Sequence, residues 1–241
     1  MKHFGILSLL VLLTVGCNAQ WGKRVKGNGN YTTIERNTGD YESVTLAGWF
    51  DVQLVSGSEG NITLEGEENL LEHIITEVRN GDLVIKVEKG LQLRPSTWGK
   101  GIMVTVPIES IDGVTMSGSG DIEGKTTIKT KSFKTTLSGS GDINLDIEAE
   151  SVSTTLSGSG DIDLTGSTEE FYVTVSGSGD VDAYGLKAAF AEVKVSGSAN
   201  VNLTATDELK ARVSGSGDIN YKGNPKKVDT KSAGSGDISK A

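Results

Sequence analysis

The chain has 241 residues, 36% hydrophobic and 5% aromatic, with 32 Gly, 3 Pro, one Cys and 2 His. Its formal net charge of −9 would repel nucleic-acid phosphates, and a single Cys excludes internal disulfides. Many Gly with few Pro favours tightly turning β structure over a Pro-rich disordered chain, and the length suits one large domain or two small ones.

Met1-Lys2-His3 is a short basic start, and Phe4 to Gly16 is nearly all apolar. That stretch is too short to span a bilayer as a mature anchor, so residues 1–16 read as a cleaved export signal. Leu13-Thr14-Val15-Gly16-Cys17 follows. It resembles a bacterial lipobox, in which a small residue precedes a Cys that is lipidated and becomes the mature N-terminus. Thr14 stands where that pattern most often has Leu. Cys17 is the expected lipidation site; the alternative, ordinary cleavage after Ala19, would release a soluble protein. Processing at Cys17 removes Lys2, so the mature charge is 22 − 32 = −10. No later segment approaches the roughly 18 apolar residues of a spanning helix.

Residues 17–40 are polar and rich in Gly and Asn, and read as a flexible tether. From Tyr41 the pattern alternates: Val44–Leu46, Phe50–Leu54 and Ile62–Leu64 are expected strands. Glu67–Ile75 is the best helical candidate, acidic at its start and apolar at 70, 71, 74 and 75. Asn80-Gly81-Asp82 signals a hairpin turn before the strand Leu83–Val87, and Ile102–Pro107 is another strand, ended by its Pro107.

The second half repeats. Ser-Gly-Ser-Gly-Asp begins at Ser117, Ser138, Ser157, Ser176, Ser196 (as Ser-Gly-Ser-Ala-Asn), Ser214 and Ala233 (as Ala-Gly-Ser-Gly-Asp), with steps of 21, 19, 19, 20, 18 and 19. Apolar or small residues fall one, three and five positions before each copy: Leu137, Thr135 and Phe133; Leu156, Thr154 and Val152; Val175, Val173 and Phe171; Val195, Val193 and Ala191; Val213, Ala211 and Leu209. The same period of two turns both Gly inward, followed by Ile143, Ile162, Val181, Val201 or Ile219, and turns both Ser and the Asp outward. Gly is expected where the coil is too narrow for a Cβ. Short strands that leave their backbone groups to the next coil make an all-β fold, a parallel β-helix (β-solenoid) of about 19-residue coils spaced ~4.8 Å apart. Right-handed winding follows from the crossover rule for parallel strands. The non-repeating region 41–114, continuous with the coils of 115–241, is expected to cap one end.

These repeats, with Glu67-Asn69-Leu70-Leu71 and Val104-Thr105-Val106-Pro107, resemble the exported bacterial family named putative auto-transporter adhesin, head GIN domain, frequent in Bacteroidetes. The resemblance runs from about Glu42 to Ser239. It implies a β-helical fold and a cell-envelope location, and little about activity. Literal self-export would need a membrane β-barrel, whereas the last residues given are another repeat, Gly234-Ser235-Gly236-Asp237.

The Asp column (Asp121, Asp142, Asp161, Asp180, Asp218 and Asp237) is the sharpest candidate site, with Asp163 and Asp182 two residues beyond two of its members. Stacked carboxylates bind Ca²⁺ in Gly/Asp-rich β-rolls, but those rolls place their motif every nine residues, and Asn200 interrupts this column. A solvated structural ladder is the favoured reading, with no metal or cofactor expected. His73 is the one His outside the signal and reads as an exposed helix position. Asp161 with Asp163, or Asp180 with Asp182, could supply an acid and a base for sugar cleavage. Against that, stacking itself repeats the Asp, and Trp21, Trp49 and Trp98, the aromatics that could platform a sugar, lie outside the repeats. The resulting expectation is an exported lipoprotein of the outer membrane, anchored in the bilayer by its N-terminal lipid. It serves as a non-catalytic structural or binding module for a glycan, matrix or cell-surface ligand. A β-helical carbohydrate enzyme and a pure scaffold are the alternatives.

Overall fold

The computed structural model describes residues 22–97 and 99–241. The export signal, Cys17, Trp21 and Trp98 lie outside the described residues. The chain runs through β1 (Lys23–Lys26), β2 (Tyr31–Gly39), β3 (Ser43–Ala47), β4 (Asp51–Ser56) and β5 (Gly60–Glu67). Then come α1 (Glu68–Leu71), β6 (Ile74–Arg79), β7 (Asp82–Val87), β8 (Leu91–Arg94), β9 (Met103–Ile108) and β10 (Gly113–Met116). Five long strands follow: β11 (Ile122–Leu137), β12 (Ile143–Leu156), β13 (Ile162–Val175), β14 (Val181–Val195) and β15 (Val201–Gly215). The last elements are β16 (Ile219–Lys222), β17 (Lys227–Gly234) and β18 (Ile238–Lys240).

The long strands stack in parallel, one coil on the next. Ile143 pairs with Ile162, which is 162 − 143 = 19 residues on, and Leu156 pairs with Val175 at the same step. This is the expected β-solenoid. Because each coil is a near-translation of its neighbour, like residues fall into columns. Leu46, Met116, Leu137, Leu156, Val175, Val195 and Val213 form one buried column. In another, bulky and small side chains share the space: Phe133, Val152, Phe171, Ala191 and Leu209. Every apolar or small residue expected inward before the motifs, and every Ile or Val after them from Ile143 to Ile219, is buried, whereas the first Gly of a motif, such as Gly139 or Gly158, is only half-buried.

Two members of a third column are polar. Thr135 pairs with Thr154, and the Oγ1 atoms of both are buried without a hydrogen-bond partner. Val114 and Val173 flank them in the same column. A buried, unsatisfied hydroxyl costs about 1–3 kcal/mol, and Val has nearly the shape of Thr. Thr154→Val is therefore expected to stabilise the protein by about 1 kcal/mol in denaturant unfolding. A loss of stability would mean that the hydroxyl has a partner.

The N-terminal region sits at one end of the stack, and it differs from its sequence reading in four ways. First, the tether expected over 17–40 is strand at β1, parallel to β8, and at β2, antiparallel to β5. These partners lie about 20 to 70 residues away in the chain, so local composition does not signal them. The buried Glu67 carboxylate fastens this segment by accepting N–H groups from Gly29 at 2.6 Å and Ser96 at 2.8 Å. Burial alone would push the Glu67 carboxyl up, but those bonds and the nearby Lys26 charge outweigh it and hold the group below its ordinary range.

Second, the helix expected over Glu67–Ile75 is a single turn, α1. Ile74 is taken by the antiparallel hairpin of β6 and β7, whose Asn80-Gly81 turn has φ of 53° and 80°, as the sequence signals. The half-buried Arg36 guanidinium donates to Leu71 O at 2.6 Å, a carbonyl the short helix leaves open, and to Ile74 O at the start of β6.

Third, β9 continues through Pro107 to Ile108. Asp51 N donates to Ile102 O and Gly57 N to Ile108 O, so the even-numbered residues of β9 bond to β4. Pro107 faces the other side, past the end of the β5 pairing at Thr105, where no N–H is required. Its carbonyl accepts the buried Tyr41 hydroxyl at 2.5 Å.

Fourth, the region contributes coils of its own, and they are not stacked in chain order. Strand β3 lies between β7 and β10, and β4 lies between β9 and β11. The later segment, β7 to β9, thus stacks on the earlier β3–β4 coil, with β6 beyond β7 and β5 and β2 beyond β9.

Candidate functional site

The repeated corner is built from backbone proximity. In Ser138-Gly139-Ser140-Gly141-Asp142 both Ser and the Asp are exposed and Gly141 is buried. A Cβ on Gly139 would stand 1.9 Å from Gly118 O, and one on Gly141 1.8 Å from Gly120 O. Glycine is required because it stacks on the backbone of the glycine one coil earlier, which corrects the expectation of a narrow interior. Ser140 N donates to Gly118 O at 2.8 Å and Ser159 N to Gly139 O at 2.9 Å, so the main-chain ladder continues around the corner.

The Asp column is a second ladder. Asp142 N donates to Asp121 Oδ1 at 3.0 Å, Asp161 N to Asp142 Oδ1 at 3.0 Å, and Asp180 N to Asp161 Oδ1 at 2.8 Å. Asn200 does not interrupt it. Its N–H donates to Asp180 Oδ1 at 2.7 Å, and its own Oδ1 accepts from Asp218 N at 3.2 Å. Asp237 N then donates to Asp218 Oδ1 at 2.8 Å. Each side chain therefore holds down the amide of the next coil. Among the described residues, no group of three or more His, Cys, Asp or Glu is placed to hold a metal ion.

Asp163 pairs with Asp182 in the neighbouring column. Partial burial, then the charges of Asp182, Asp161 and Asp142, push the Asp163 carboxyl up. The arrangement is a run of like carboxylates and does not single out one acid and one base. His73 follows α1 and meets Glu88 through Nδ1 at 2.9 Å on the exposed surface.

The ladder begins one coil earlier than the sequence repeats. Asp121 N donates to Asp51 Oδ1 at 3.1 Å, and Cβ atoms on Gly118 and Gly120 would meet Gly48 O and Phe50 O at 1.8 and 2.0 Å. Ala47-Gly48-Trp49-Phe50-Asp51 is thus an eighth corner, and Trp49 stands where the other corners carry Ser119, Ser140, Ser159 and their successors. Only the Gly, the Asp and the flanking Leu46 and Val52 could have signalled it.

Two open cavities flank Trp49. One, of about 670 Å³, is bordered by Leu91, Gln92, Leu93, Arg94, Ser117 and Ser119. The other, of about 490 Å³, is bordered by Asp51, Pro95, Thr97 and Lys100. Trp49 is half-buried, its ring 6.3 Å from that of Phe50 in an edge arrangement at 79°. Burial, opposed by the Asp121 N–H and reinforced by the Asp121 charge, pushes the Asp51 carboxyl up. This cleft gathers residues near 49, 92 and 118, which meet only because the β7–β9 segment folds back over the β3–β4 coil. Among the described residues no helix is long and apolar enough to cross a membrane.

Comparison with known proteins bears on this architecture. The family model described as "Putative auto-transporter adhesin, head GIN domain" matches residues 40–225. A solved structure described as a putative adhesin from Bacteroides fragilis is similar at 20% identity and a TM-score of 0.85, covering 90% of this chain and 100% of its own. One described as a putative lipid binding protein from Parabacteroides distasonis is 26% identical with a TM-score of 0.76, covering 91% and 100%. One described as a putative adhesin from Parabacteroides merdae is 22% identical with a TM-score of 0.72, covering 91% and 99%. No curated protein matches the chain.

Proposed function

The chain belongs to the family described as putative auto-transporter adhesin, head GIN domain, and on that premise we propose an exported, lipid-anchored envelope protein whose solenoid is a non-catalytic binding module. The lipid would sit on Cys17 in the outer membrane, as the lipobox-like Leu13–Cys17 suggests. The observation that carries the binding role is the pair of cavities around Trp49, at the one corner where the outward Ser column gives way to an aromatic ring. The regular corners support a structural role for the Asp, since their carboxylates are engaged by backbone amides. A second reading, lipid binding, is favoured by Leu91 and Leu93 beside Trp49 and by the description of the Parabacteroides distasonis neighbour.

Deleting the gene is expected to reduce attachment of cells to a glycan or matrix surface, and a Trp49→Ala copy should fail to restore it. Unchanged attachment in the deletion strain would contradict the binding role. Cys17→Ser is expected to move the protein from the membrane fraction to the soluble fraction; continued membrane association would contradict the anchor.

A further inference from the structure

The protein is acidic overall, at −9, and Asp51 borders the second cavity, yet the segment 88–101 on the other wall of the Trp49 cleft is basic, as is the segment 22–30 that pairs with it through β1 and β8. Residues 22–30 and 88–101 contain Lys23, Arg24, Lys26, Lys89, Arg94 and Lys100 against a single acid, Glu88. All six cations are exposed, and Glu88 is engaged by His73 at 2.9 Å. The β1–β8 ribbon orders part of this charge. Arg24 stands beside Gln92 and Lys26 beside Arg94, while the alternate pair Val25 and Leu93 turns to the core. None of the ion pairs among the described residues uses Arg94. At the second cavity, Lys100 Nζ lies 4.8 Å from the ring centroid of Tyr31, which is 42% exposed.

We propose that the Trp49 cleft binds an acidic saccharide, a deepening that rests on the binding-module reading. One pyranose stacks on the Trp49 indole, whose face suits the C–H side of a sugar ring. The sugar's carboxylate or sulfate pairs with Arg94 on one side of the indole or Lys100 on the other. Gln92 and the Ser117 and Ser119 hydroxyls supply partners for ring hydroxyls. Arginine suits the anion because its fork matches two oxygens at once. A lid over Phe50 would account for the edge contact of Trp49, but not for open cavities on both of its sides with a cation at each rim. Gln92, Arg94, Ser117 and Ser119 on the border of the larger open cavity fit a hydroxylated, charged ring.

The test is calorimetric titration of the full-length protein in detergent with oligogalacturonate, heparin tetrasaccharide, fully methyl-esterified oligogalacturonate and phosphatidylglycerol mixed micelles. At least one acidic saccharide is expected to bind, and the methyl ester about tenfold more weakly than free oligogalacturonate or not at all. Arg94→Gln is expected to weaken acidic binding by about fivefold or more with an unchanged melting temperature, and Trp49→Ala to abolish it. Equal binding of ester and acid, or binding that survives both substitutions, overturns the proposal. So does saturation by the micelles with no response to either acidic saccharide. Failure of both acidic probes while attachment still depends on the gene would reject this ligand class and leave the binding role standing.

Discussion

Gly160→Ala is expected to destabilise the protein by about 3 kcal/mol, at the upper end of the penalty for overpacking by one methyl group. The new Cβ would stand 1.9 Å from Gly141 O and 2.9 Å from the carbonyl carbons of Gly141 and Ser140. All three atoms are backbone, so no rotamer change relieves the clash and the coils must separate. Separation lengthens the bonds from Ser159 N to Gly139 O at 2.9 Å and from Asp161 N to Asp142 Oδ1 at 3.0 Å. Ala199 marks the condition under which a methyl is accepted at this place. Its coil takes 20 residues from Ser176 to Ser196 instead of 19. The approach is looser there: Ser198 N to Gly177 O is 3.2 Å, and a Cβ on Gly197 would stand 2.3 Å from Gly177 O. Ala199→Gly is accordingly expected to change stability by less than about 1 kcal/mol, the usual cost of glycine's extra chain freedom. Denaturant unfolding of both variants checks the contrast. Equal, small effects would mean that coil spacing is not set by glycine stacking.

Asp161→Ala and Asp161→Asn are expected to part company. The alanine variant leaves Asp180 N without its 2.8 Å acceptor and should cost about 1–2 kcal/mol, the range of a charge-assisted bond at a partly solvated site. The asparagine variant keeps an oxygen in place, as Asn200 does when it accepts from Asp218 N at 3.2 Å. It also removes one charge from a column in which neighbours repel, so it should be close to wild type. Thermal unfolding at neutral pH distinguishes them. If the asparagine variant is as unstable as the alanine variant, the negative charge itself matters, and the backbone-ladder account fails.

The periodic half was legible because its physics is local and repeated. A period of two places Leu137, Leu156 and Val175 inside, and translation from coil to coil turns that pattern into a buried column. The reason for the glycines was only half legible. Alternation points them inward, but the atom that excludes a Cβ belongs to a glycine about 19 residues earlier. Asn200 reads as a break in the Asp column because charge is visible in a sequence and shared geometry is not; its amide oxygen does the same work. The N-terminal strands were hidden for a different reason. Strands β1 and β2 are Gly- and Asn-flanked segments whose partners, β8 and β5, are remote. The Trp49 cleft was least legible of all. Its corner keeps only Gly48 and Asp51 of the motif, and its walls come together through a coil stacked out of chain order.

Amide hydrogen exchange at Asp180 tests the central claim that the repeated corner fastens one coil to the next. The account predicts strong protection of this surface amide in the wild type, equal with calcium and with a chelator, and rapid exchange in Asp161→Ala but not in Asp161→Asn. Exchange at the rate of an open loop in the wild type, or protection that appears only with calcium, would contradict it.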